Sequence, residues 1–168
     1  MTDQIQAFIQ ELEQEAKTTQ KLLEKLPADK LTWKPHEKSM SAGQLALHVA
    51  TIPGRVSTML SSDGMDVSEA KFGPPQPASK EEILQAFEAS IAQAGKTLEL
   101  WDVEKAAGEW TFLKGDQVVM SLPRTGGVRT ILLNHLYHHR GQLTVYLRLM
   151  DVLLPVTYGR SADTNPFA

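Results

Sequence analysis

Residues 126–150 read GGVRTILLNHLYHHRGQLTVYLRLM, and this stretch decides the fold. Two glycines open it, and Pro155 lies just beyond its end. Between them apolar residues return every three or four positions, the period of an amphipathic helix. At about 100° per residue, His135 and His139 stand one turn apart on one side. Val128, Ile131, Leu132, Gln142, Leu143 and Tyr146 share that side, so the pair faces the interior of whatever the helix packs on. His138 lies at the margin of this face, and Arg140 points almost opposite it, towards solvent or an interface.

Three further helical stretches precede this one. Over roughly residues 3–25, Ile5, Phe8, Ile9, Leu12, Ala16, Leu22, Leu23 and Leu26 form a stripe that Pro27 closes. A capping-box pair, Ser41 and Gln44, opens the second, which Leu45, His48, Val49, Ile52, Val56 and Met59 carry to about residue 61. Pro53-Gly54 predicts a kink or short break in it, because proline cannot bond to the carbonyl of Val49. Residues 62–78, rich in Gly, Pro and Ser, read as a long crossover loop, with Gly73-Pro74-Pro75 a turn rather than a phosphate loop. Ser79 and Glu82 cap the third helix, whose stripe is Ile83, Leu84, Phe87, Ile91, Ala94 and Leu98. Between 102 and 124, two β-prone runs flank Lys114-Gly115-Asp116 and predict a small hairpin or irregular excursion. Four helices with long connections give an all-α four-helix bundle, formed as a single domain over residues 1–168.

Composition narrows the function. The chain has 168 residues, 42% hydrophobic and 22% charged, enough for one sizeable core. Its formal charge is −3, from 20 acidic against 17 basic residues, which argues against nucleic acid as a partner. No apolar run approaches a membrane span, and the acidic amphipathic start is no signal peptide. A cytoplasmic location is expected. The cysteine count is zero, which excludes disulfides, zinc-cysteine clusters and a thiol nucleophile of the chain's own.

His48 belongs to the inward stripe of the second helix, so a third imidazole can meet His135 and His139 inside the bundle. Metal sites in bundle cores are built this way, and three imidazoles suit zinc, nickel, copper or iron. No glutamate lies between the paired histidines, so the HExxH protease pattern is absent. The plainer alternative is a hydrogen-bonded core histidine at 48 beside a compositional cluster at 135–139. Gln142 can orient a bound water or simply satisfy the backbone. His36 reads as a surface or packing residue, His138 as a supporting or solvent-facing one, and Trp33, Trp101 and Trp110 as packing near helix ends.

At these residues the chain resembles the DinB/YfiT-like family of bacterial four-helix-bundle metalloenzymes. Leu31-Thr32-Trp33-Lys34-Pro35 leads to Ser41-Ala42-Gly43-Gln44-Leu45 and His48, like the family's approach to its first histidine. Asn134-His135 through His138-His139-Arg140-Gly141-Gln142 is similar to its histidine-rich element. Leu154-Pro155, Tyr158-Gly159 and Ser161-Ala162-Asp163 resemble its tail. The resemblance implies an up-down-down-up bundle and a divalent metal, zinc or nickel, on His48, His135 and His139. It also implies a homodimer, for which Leu136, Val145, Leu147 and Leu149 offer apolar contact off the metal side, the alternative being that they complete the bundle core. Activity in such relatives points to a transferase using a low-molecular-weight thiol and a small-molecule substrate. A metal-dependent hydrolase and a non-catalytic metal- or ligand-binding stress protein are the alternatives. Pro53-Gly54 and the 102–124 excursion depart from the family pattern.

Overall fold

The computed structural model describes residues 2–68, 73–165 and 167. Helix α1 (Asp3–Glu24) starts at Thr2, whose side chain accepts from the Ile5 amide, and buries the expected stripe from Ile5 to Leu23. Helix α2 (Ala42–Ser61) opens with the complete Ser41/Gln44 capping box. Helix α3 (Lys80–Glu99) forms half of one: Ser79 caps Glu82, but the Glu82 carboxylate accepts from Ala78 instead.

Pro53 does not break α2. The helix runs on, and the neighbouring Gly54 amide donates to Ser90 Oγ of α3 at 2.8 Å. A Cβ on Gly54 would sit 3.0 Å from the Ser90 Cα, so this glycine permits close approach of two helices rather than a bend.

After α3 come a short helix α4 (Val103–Ala107) and strands β2 (Glu109–Lys114) and β3 (Gln117–Pro123). The strands form the expected hairpin, with Gly115 at φ +59° in its two-residue turn. The crossover segment also contributes a strand, β1 (Gly64–Asp66), which pairs in parallel with Thr111–Leu113. The fold is therefore mostly helical with a three-stranded sheet, ordered β1-β2-β3, rather than all-α. Residues 69–72 of that segment lie outside the described residues.

The last helical run has three consecutive parts: α5 (Arg124–Gly127), a π-helical turn (Val128–Leu133) and α6 (Asn134–Leu149). It is continuous but not uniform in pitch. Arg124, buried at its start, donates to the carbonyls of Leu60, Ser62 and Glu109 and pairs with Asp63 at 2.7 Å. One guanidinium thus satisfies the end of α2 and ties it to the sheet.

Among the long helices, α2 packs on α3 and α6, and α1 packs on the same two. Gln76, just before α3, bonds Ser41 at the start of α2, so these two helices run the same way. Tyr146 near the end of α6 reaches the Met40 carbonyl, which makes α6 antiparallel to α2. Lys80 at the start of α3 meets the Glu24 carbonyl at the end of α1, so α1 opposes α3. Leu45, Val49, Ile52, Ile83, Phe87, Leu132 and Leu143 fill the centre. Among the described residues, no helix is long and apolar enough to cross a membrane.

Candidate metal centre

His48 sits six residues into α2, on the face turned to α6. His135 and His139 sit on the regular α6 helix, which begins at Asn134 directly after the π turn. Their one-turn spacing therefore holds as expected. All three rings are half-buried. The Nε2 atoms of His48 and His135 are 3.2 Å apart. Ring centroids lie 5.0 Å (48 to 135), 4.4 Å (48 to 139) and 4.7 Å (135 to 139) apart, each pair edge to face. One ring nitrogen from each residue falls within 4.8 Å of the others.

The electrostatics favour uncharged rings. Burial, then the neighbouring rings of His139 and His135 and then Arg55, push the His48 pKa down to about 4. Burial, then the adjacent imidazoles of His139 and His138, lower His135, against the backbone of Ile131, which raises it. Burial also lowers His139, opposed by its bond to Gln142. At neutral pH each ring keeps a lone pair, the form in which imidazole binds a metal.

The donor set fits a small divalent ion. Nitrogens held about 2.0–2.1 Å from a tetrahedral zinc lie about 3.3–3.4 Å from one another, close to the His48–His135 separation. Three ligands leave a fourth position, and the half-buried rings leave a way to reach it.

Around the trio, Gln142 Oε1 accepts from His139 Nδ1 at 2.7 Å, and the Gln142 amide nitrogen donates to His138 Nε2 at 3.1 Å. His138 and His36 are both exposed. Gln142 thus bonds two rings rather than the backbone.

Arg140 requires a correction. It is 2% exposed, not solvated, and lies at 2.6 Å from the Glu15 carboxylate. It also donates to Thr19 Oγ1 at 3.2 Å and to the hydroxyl of Tyr158, which in turn donates to Glu15 Oε2 at 2.9 Å. In this cluster Glu15, Thr19 and Arg140 are buried, and through the exposed Tyr158 they fasten the tail to α1 and α6. Glu15 and Thr19 were its unread signal, two polar residues inside the apolar stripe of α1. A second tie lies along the same helix pair: Arg129 makes a bidentate pair with Glu11, and the Tyr137 hydroxyl donates to Glu11 at 2.7 Å.

Fold and site together define a metal-capable helical protein of one family. The DinB family model matches residues 1–165, and the chain belongs to the DinB family. It is similar to the uncharacterized protein YrdA of Bacillus subtilis (strain 168), 28% identical over 159 residues that span 93% of this chain and 89% of that one. Among solved structures, a DinB-like protein from Bacillus cereus ATCC 10987 superposes with a TM-score of 0.70 at 23% identity, covering 91% of this chain and 97% of that one. The DinB-like protein YjoA from Bacillus subtilis gives 0.69 at 20% identity, covering 92% and 99%. At these identities the two structures speak for the fold.

Proposed function

We propose that His48, His135 and His139 hold a divalent transition ion, zinc or nickel, and that the chain is a metal-dependent transferase that passes an external low-molecular-weight thiol to a small electrophile. The convergence of three uncharged imidazoles from two helices carries the reading. An ion bound there supplies Lewis acidity, which lowers the pKa of a thiol reaching the open position. The chain's own part is to fix the three nitrogens and to leave that side accessible.

The thiol must come from outside, because the cysteine count is zero. In the transfer, sulfur forms a bond to the electrophilic carbon; with a haloarene the carbon–halogen bond breaks, halide departs and the thiol proton leaves to water, and with an epoxide the carbon–oxygen bond breaks and the freed oxygen takes up a proton through water in place of the one the thiol gives up. A hydrolase, the alternative, would use the same ion to lower the pKa of a bound water. The trio includes no carboxylate, and Glu11 and Glu15 are engaged by Arg129 and Arg140. The reading also takes the protein to be a cytoplasmic homodimer whose partners are the substrate and the thiol, with neither nucleic acid nor membrane.

A panel of thiols and electrophiles, run on metal-loaded and metal-stripped protein, tests it. Conjugation that requires both metal and thiol is expected. Ester or amide turnover without thiol would establish the hydrolase instead. Absence of turnover with thermal stabilisation by a ligand would establish a binding role. Thiol consumption indifferent to metal would defeat the mechanism.

A further inference from the structure

We propose that Gln142 is the positioning residue that presents His139 to the metal in the correct tautomer, an inference that rests on the metal reading above. Gln142 follows His139 by three residues on α6, and its Oε1 accepts the Nδ1 proton of that ring at 2.7 Å. With the proton held on Nδ1, the lone pair of His139 is on Nε2, the nitrogen left to serve the trio.

A carboxamide has two ends of nearly equal size, so the bond alone does not choose the tautomer. Were the amide turned over, its NH2 group would donate to Nδ1. The ring would then carry its proton on Nε2, facing the ion. The ion selects between them: a metal on Nε2 requires the ring proton on Nδ1, and the amide then turns its oxygen to His139. The amide nitrogen lies 3.1 Å from His138 Nε2, a contact that fits this orientation when His138 carries its own proton on Nδ1. Metal-binding histidines are commonly fixed in this way through their other ring nitrogen.

Two readouts test the role. Long-range proton–nitrogen spectra of metal-free protein carrying 15N-histidine report each ring's tautomer, and competition with a chromogenic chelator gives zinc affinity. The native chain should show His139 protonated on Nδ1. Gln142→Leu should lose that preference and bind zinc about 10–100-fold more weakly. Gln142→Glu keeps an acceptor for Nδ1–H and should bind zinc at least as tightly as the native chain. Unchanged affinity or an unchanged His139 tautomer in Gln142→Leu would overturn the role. If circular dichroism shows that Gln142→Leu is misfolded, Gln142→Glu decides alone: retained tautomer and affinity support the role, and loss of both overturns it. A native chain that binds no zinc while its tautomers follow this pattern overturns the metal reading and supports the orientation of the ring by Gln142.

Discussion

Replacing Arg140 by methionine should destabilise the protein far more than an ordinary charge deletion. The guanidinium side chain is 2% exposed and its partner Glu15 12%, so the substitution leaves a carboxylate facing an apolar wall with only the Tyr158 hydroxyl for company. Breaking a buried pair from one side costs about 3–5 kcal/mol. For a domain of this size each kcal/mol moves Tm by about 2–4 °C, so a fall of about 6–20 °C is expected. Removing both charges should hurt less than removing one, because no orphaned ion remains. Thermal and urea unfolding of Arg140→Met, Glu15→Leu and the double variant, followed by far-UV circular dichroism, close a double-mutant cycle. Strict additivity, within about 0.5 kcal/mol, would refute the coupled cluster, as would an Arg140→Met variant that melts with the native chain.

Two other outcomes are expected. The folded pKa of His48 lies at about 4 against an ordinary 6.5, and those of His135 and His139 are lowered as well. Between those values the unfolded chain binds protons that the folded chain does not, so stability is full above about pH 6.5 and declines as pH falls towards 4. Melting of metal-free protein across pH 5–7.5 checks this, and a Tm that rises on acidification would contradict it. Light scattering at micromolar concentration should give twice the monomer mass, and Val145→Glu with Leu149→Glu should halve it; a native monomer would reject the dimer.

Those two residues show what helical period can and cannot resolve. Of the four apolar positions off the metal face, open to an interface or to the core, Leu136 and Leu147 are fully buried in the core, while Val145 and Leu149 are each 57% exposed. A helical wheel gives angles but not which sector meets α1. The inward placement of His135 and His139 was legible because both stand on regular α-helix, and that of His48 because its apolar neighbours set its phase. The π turn at Val128–Leu133 was not legible, since its residues suit either pitch. Strand β1 has three residues and a partner at Thr111–Leu113, so it has neither the length to show alternation nor a local pairing signal. Arg140 was misplaced for a related reason: Glu15 and Thr19, which bury it, lie more than a hundred residues away in sequence.

Three particular histidines should share one metal ion. Equilibrium dialysis against zinc or nickel, followed by elemental analysis, measures it on the native chain and on four single alanine variants. One ion per native chain is expected, with most of it lost in His48→Ala, His135→Ala and His139→Ala and retained in His138→Ala. A native chain that emerges without metal, or loss in His138→Ala alongside retention in His139→Ala, would contradict the account.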